Sequence, residues 1–273
     1  MSQSRLLSNN IKTMAAGGRH LNDNSKVSEK VLDSAMIDII KYAREKAHSY
    51  GINIEHRTKV TLYECQEYFH LKKELSGTYK YIPDIENKKV FMKPDGGVLF
   101  AVISDTIKIP ILIVEDKLQG TNDLKHTNGE KRQATGNAIE RGAKNIRGAE
   151  MLFASYDIFP YVLFASGCDF HKSETIAKRI EMMNMGIPNH YINIDKETTD
   201  ELIQNELDRI ISNINIKNIN DKSISSVFVK AHKWNVLPHG SSVWKKNEII
   251  QICKRVIDLV FEYLHFNKYI PMK

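Results

Sequence analysis

The chain has 273 residues, 42% of them hydrophobic, which is enough for one globular domain to bury a core without covalent staples. No leading apolar run of signal-peptide type and no stretch of roughly 18 apolar residues occurs, so the expectation is a soluble, cytoplasmic protein with no membrane partner. Cys65, Cys168 and Cys253 form no Cys-x-x-Cys pair, which argues against a disulfide framework or a cysteine zinc site. The net charge of +6 permits a polyanionic partner without establishing one.

Residues 1 to 24 are polar and rich in Ser, Asn and Gly, and read as a flexible N-terminal segment ahead of a single domain over 25 to 273. Val31, Ala35, Ile39, Ala43 and Ala47 recur at helical spacing and predict a helix over about 28 to 49, ending before Gly51. A mixed, charged segment follows, up to Tyr81. Val98 to Ile103 and Ile107 to Lys117 read as two strands of a hairpin, joined by Ser104-Asp105-Thr106. Ile111-Leu112-Ile113-Val114 is apolar on both faces, as in a buried strand. A polar loop, Gly120 to Gln133, leads to a helix from Asn137 to about Phe153. Tyr161 to Ala165 is another buried strand. Residues 173 to 185 and 198 to 213 read as helices, and Val227-Phe228-Val229 as a short strand. Ile249, Ile252, Cys253, Val256, Val260 and Leu264 mark a core-packing helix, with Trp234 and Trp244 before it as core or interface anchors. Alternating strands and helices imply an α/β domain around a mixed sheet of five-stranded type, flanked by helices. The ten histidines show no metal-ligand spacing.

The hairpin carries the chemistry. Lys93-Pro94-Asp95-Gly96-Gly97 opens its first strand and Val114-Glu115-Asp116-Lys117 closes its second. Side chains alternate along a strand, so Glu115 and Lys117 share a face and Asp116 takes the other. A hairpin brings Asp95 beside them, and two carboxylates and an ammonium meet at one sheet edge. Hard carboxylate oxygens can hold Mg²⁺ while leaving room for water and a phosphate oxygen. A lysine there can orient the water and stabilise the transition state of phosphodiester hydrolysis. The same residues also read as a surface hairpin with a solvated Glu–Lys pair, and Pro83-Asp84 nearby shows how loose a Pro-Asp pattern is. Against that stands an apolar strand ending abruptly in Glu-Asp-Lys, which sets charge against a buried sheet. Asn137-Ala138-Ile139-Glu140 is by pattern a helix-capping box, and Glu140 to Lys144 an i,i+4 ion pair.

Four blocks in consistent order resemble the EcoRI family of restriction endonucleases: Lys93 to Gly97; Glu115 to Gly120; Gly136 to Arg141 with Lys144-Asn145-Ile146; and Phe159 to Phe164. Weaker likeness runs through Met185 to Asn189 and Asp221 to Ile224. The resemblance implies a restriction endonuclease-like fold and a Mg²⁺-dependent homodimer. It implies cleavage of both strands of a palindrome such as GAATTC, leaving 5′-phosphates and 5′ overhangs. It also implies functional pairing with a DNA methyltransferase, without a stable complex. Asp95 and Glu115 match metal ligands, with the backbone carbonyl of Asp116 as a third, and Lys117 matches the catalytic lysine. Lys93 matches a lysine near the scissile-strand backbone. Asn137, Ala138, Glu140 and Arg141 match the base-reading segment, which suits an AATT core because Asn can bind adenine, Glu accepts from amino groups and Arg donates to purine N7. Gln119, Gln133, Ala134 and Arg179 also match DNA-binding positions.

The chain departs from the family pattern at several points. Asp116 stands where a small residue is expected, with its side chain predicted to face away. Gln133 stands where a Met lies beside the outer base pair, and Ile176 where an arginine is expected. The segments Gly120 to Gln133 and Gly167 to Arg179 are shorter. Short DNA-embracing arms are therefore expected, and the AATT core is better defined than the outer G·C pair.

Overall fold

The computed structural model describes residues 23–65, 91–118, 136–153, 156, 158–183, 190–214, 226–233, 236–237 and 242–271. Helix α1 (Asp23–His48) is followed by strand β1 (Asn53–Arg57), a small ladder of β2 (Val60–Thr61) with β3 (Phe91–Met92), and the hairpin β4 (Gly97–Val102) and β5 (Lys108–Leu118). Then come α2 (Gly136–Leu152), β6 (Tyr161–Ser166), a 3-10 turn (Cys168–Phe170), α3 (Glu174–Met183), β7 (Tyr191–Ile194), α4 (Asp200–Asn213), β8 (Ser226–His232) and α5 (Lys246–Phe266). The main sheet has six strands in the order β1-β4-β5-β6-β8-β7. Its β1, β4 and β5 run antiparallel, and β5, β6, β8 and β7 run parallel.

The mixed sheet flanked by helices is the expected architecture, with six strands where five were expected. The expected N-terminal flexible segment lies outside the described residues up to position 22, and the first helix is already under way at Asp23. The two strands not placed from the sequence are β1 and β7. Asn53-Ile54-Glu55-His56-Arg57 carries one aliphatic residue in five because it is an edge strand, paired only with β4. At the other edge β7 is four residues long and alternates half-buried and buried positions. The predicted short strand at 227–229 extends over seven buried residues, and it contains Lys230 and His232.

Two apolar layers clasp the sheet. One collects Leu32, Ala35, Met36, Ile39, Ala43 and Ala47 of α1 with the apolar stripe of α5 and Leu99, Leu112, Val114, Val162 and Phe164. The other collects Ile139, Ile146 and Ala149 of α2 and Ile176 and Ile180 of α3 with Val98, Phe100, Ile113, Leu163 and Val229. Ile176, where the resemblance leads to the expectation of an arginine, is a core residue, 1% exposed. The β4–β5 register shifts between Leu99 and Phe100, so that Leu99 faces Leu112 and Phe100 faces Pro110. A bulge is where a strand tolerates proline, which has no N–H to give the ladder. It also lets the consecutive residues Ile111 and Leu112 both join the α1–α5 layer. Trp244 is buried against Phe164 and donates Nε1–H to Ala165 O at 3.2 Å. Trp234 lies outside the described residues. Cys65, Cys168 and Cys253 are all buried, and none is joined in a disulfide.

His190 packs on the ring of Phe228 at 4.7 Å and is 1% exposed. Among the described residues neither ring nitrogen has a partner. Burial, with a smaller push from Arg209, lowers its pKa from 6.5 to about 4. Above pH 6.5 the ring is neutral in both states. As the pH falls below 6.5 the unfolded chain takes the proton first. Stability is therefore lost between pH 6.5 and 4, on the order of 3 kcal/mol by the lower limit. Denaturant titrations at pH 7 and pH 4.5 should show a smaller loss for His190→Phe than for the parent. Equal losses would remove His190 from the account.

Candidate active site

The acidic end of the β4–β5 hairpin is shaped by a glycine turn. Gly97 N–H donates to Pro94 O at 3.0 Å, and Gly96 N–H to Val114 O at 3.0 Å. Gly97 has φ 76°, and a Cβ there would stand 2.5 Å from Arg57 O and 2.7 Å from the His56 ring. Only glycine meets both demands, the left-handed backbone and the close approach of β1. The His56 ring in turn lies with Nε2 3.2 Å from Gly96 O. The turn thus hangs Asp95 over the end of β5. There Asp116 N–H donates to Asp95 Oδ2 at 3.0 Å, and Asp95 N–H reaches Glu115 Oε2 at 3.4 Å.

Lys117 sits at the centre. Its Nζ lies 3.3 Å from Asp95 Oδ2 and 3.0 Å from the backbone carbonyl of Asp116, and it pairs with Glu115 Oε1. The hairpin brings together the residues singled out from the sequence. Asp95, Glu115 and the Asp116 carbonyl, the oxygens matched to a metal, all converge on one cation. Among the described residues there is no cluster of three or more His, Cys, Asp or Glu side chains placed to hold a metal. The oxygen set at this point is two carboxylates and one peptide carbonyl, which suits a hard divalent ion that keeps several waters.

Burial pushes the Glu115 carboxyl up, and the hydrogen bond from Lys117 only partly offsets it, while the Asp95 charge adds to the rise. Burial pulls Lys117 down, but its hydrogen bond to Glu115 and the charges of Glu115 and Asp95 outweigh this and raise it. These directions agree with each other. One ammonium faces two carboxylates, so it is held charged while the buried carboxylate remains under-compensated. Asp116 turns its side chain the other way, as alternation requires, and Oδ2 accepts from Ser28 Oγ on α1 at 2.6 Å. Burial raises its pKa to about 6, against the opposing Ser28 bond.

A cavity of about 490 Å³ opens beside Glu115. Lys93, Lys144 and Asn145 supply polar groups to its lining, and Phe91, Met92 and Tyr161 supply apolar wall. Lys93 is exposed. Asn145, whose role the sequence did not suggest, donates Nδ2–H to Glu115 Oε1 at 3.1 Å. Nothing in the sequence marks Ser28 and His56 either, because their contacts are made with elements remote in sequence.

Helix α2 starts at Gly136, so Asn137 stands inside the first turn rather than at the cap. Glu140 and Arg141 are exposed on α2. Glu140 pairs with Arg179 Nη1 of α3 at 2.8 Å, in place of the expected pairing with Lys144. Both partners are substantially exposed, and such a pair contributes about 0–1 kcal/mol, so it yields readily to another ligand. The side chains of Asn137 and Ala138, and all of Gln119, Gln133 and Ala134, lie outside the described residues, as does the segment Gly120 to Gln133. The segment from Gly167, expected from the resemblance to be short, folds as the 3-10 turn and the start of α3.

A mixed sheet of this order, flanked by helices and carrying two carboxylates and a lysine where its antiparallel hairpin ends, is a restriction endonuclease-like fold. The chain belongs to the Restriction endonuclease EcoRI family, whose profile matches residues 15–267. It is similar to the type II restriction enzyme EcoRI of Escherichia coli, with 36% identity over 87 residues. That match spans 29% of this chain and 31% of the relative. Among the described residues no helix is long and apolar enough to cross a membrane.

Proposed function

We propose that this chain is a homodimeric type II restriction endonuclease. It cuts both strands of a palindromic duplex with an AATT core, GAATTC being the expected site, and leaves 5′-phosphates and 5′ overhangs. The observation that carries the reading is the convergence of Asp95, Glu115 and the Asp116 carbonyl on Lys117, beside the helix bearing Glu140 and Arg141. A two-fold site calls for a two-fold enzyme with one cutting centre per strand.

Asp95, Glu115 and the Asp116 carbonyl would hold Mg²⁺. Bound there, it supplies positive charge against the phosphoryl group and acidifies water. The Lys117 ammonium donates hydrogen bonds to the attacking water and to the charge that builds on the phosphoryl oxygens. Water attacks phosphorus in line, the P–O3′ bond breaks, and a 3′-hydroxyl and a 5′-phosphate remain. Lys93 holds the scissile strand by its backbone, which positions it without reading sequence. Asn137, Ala138, Glu140 and Arg141 read base edges in the major groove. Gln119, Gln133, Ala134 and Arg179 complete the DNA contacts.

Plasmid incubated with the purified chain and Mg²⁺ tests this, followed by sequencing of the ends. Discrete fragments whose ends share one AATT-centred palindrome with 5′ overhangs are expected. DNA left intact while the protein binds it would make the chain a binder without cleavage. A smear would make it a nuclease without sequence preference. Either result overturns the proposal.

A further inference from the structure

Asn145 lies on α2 one helical turn after Arg141, and residues at that spacing are neighbours on a helix surface. The helix is seated tightly on the sheet. Ile139, Ile146 and Ala149 are buried, and a Cβ on Gly142 would come within 2.7 Å of the Leu163 side chain on β6. From this fixed platform the exposed Asn145 amide reaches β5 and donates to Glu115 Oε1, the same oxygen that Lys117 pairs with. Oε2 has the longer contact, 3.4 Å from Asp95 N–H. A glutamate on a strand end has several rotamers open to it, and two donors on Oε1 select the one that turns Oε2 toward Asp95.

We propose that Asn145 is a positioning residue: its amide fixes the orientation of the Glu115 carboxylate and so couples the base-reading helix to the cutting centre. The inference rests on the nuclease reading given above. Because α2 is rigid and fixed on the sheet, the placement of its base-reading residues and the placement of Asn145 against Glu115 are set together. An uncharged amide suits this task. It holds the carboxylate without competing with a cation for its charge, as a second lysine would.

The test uses the full chain, its Asn145→Ala variant, Mn²⁺ as the probe, and a duplex carrying the site found by end sequencing. Mn²⁺ binding is followed by electron paramagnetic resonance, and duplex affinity is measured without metal. Single-turnover cutting is measured across a Mg²⁺ series. Loss of an outer partner of a metal ligand weakens metal binding or activity by about 10–100-fold. The expected result is a shift of that size in Mn²⁺ affinity and in the Mg²⁺ midpoint for cutting, with metal-free duplex affinity and thermal stability unchanged. Mn²⁺ binding and cutting equal to the parent's would overturn the inference. So would loss of metal-free duplex affinity in step with cutting, which would make Asn145 a DNA contact. A parent chain that neither binds Mn²⁺ nor cuts refutes the nuclease reading itself, a result distinct from either of these.

Discussion

Lys117→Ala is expected to reduce single-turnover cutting by at least 10²–10³-fold, the usual cost of removing one preorganised donor from a transition state, while specific duplex binding is retained. The Lys117 ammonium contacts Asp95, Glu115 and the Asp116 carbonyl at once. Its removal does two things. On the proposed mechanism the phosphoryl charge loses a fixed donor, and Glu115, already pushed up by burial and by Asp95, loses the hydrogen bond that opposes that rise. Arginine would not restore the function, because a planar fork cannot place one compact charge among three oxygens. Cutting and gel-shift assays on the same preparation check the prediction. Unchanged cutting would remove Lys117 from the mechanism. Loss of binding alongside cutting would make it a DNA contact rather than a catalytic residue.

The hairpin that carries this lysine could be read from the sequence because two signals coincide there. A run of β-branched residues is buried on both faces, and it stops abruptly in charge. Period-two alternation then separates Glu115 and Lys117 from Asp116, and the structure follows it: Asp116 turns to Ser28 on α1. The parts that could not be read are those decided by partners far along the chain. Glu140 pairs across to Arg179, not along its own helix to Lys144, because α3 packs against α2 and brings a guanidinium within reach. His56 and Asn145 support the site from β1 and α2. Nothing local marks an asparagine in a helix as the partner of a glutamate on a strand. The edge strand β1 is hidden for a related reason. One neighbour and one protected face leave it free to be polar, so the alternation that reveals a central strand is absent.

Strand β8 is under-read for a different reason, and it yields the second large effect. Lys230 falls in the middle of this buried strand and is 1% exposed. A lysine at such a position looks like the end of a strand. It stays inside because Glu248, at the start of α5, takes its ammonium on both oxygens, at 2.6 and 2.7 Å, under the ring of Trp244 at 5.4 Å. Glu248 also accepts Lys245 N–H at 2.7 Å and so caps α5. Burial lowers the Lys230 pKa, opposed by the Glu248 charge. Removing one partner of a buried pair strands the other charge, so Lys230→Met should destabilise the fold by about 3–5 kcal/mol. Adding Glu248→Gln removes the stranded charge and keeps an acceptor for the cap, so the double variant should recover more than half of that loss. Denaturation midpoints of the three proteins measure both effects, and a single variant within about 1 kcal/mol of the parent would refute the first. The folded fraction of every variant should cut at the parental rate. Lys117 and Lys230 are both strand residues paired with a glutamate. Lys230 is sealed beneath a tryptophan with its acceptor saturated. Lys117 is part-exposed among three oxygens, beside the Glu115 that lines the cavity, and this difference separates a lysine that holds the fold from one proposed to perform the chemistry.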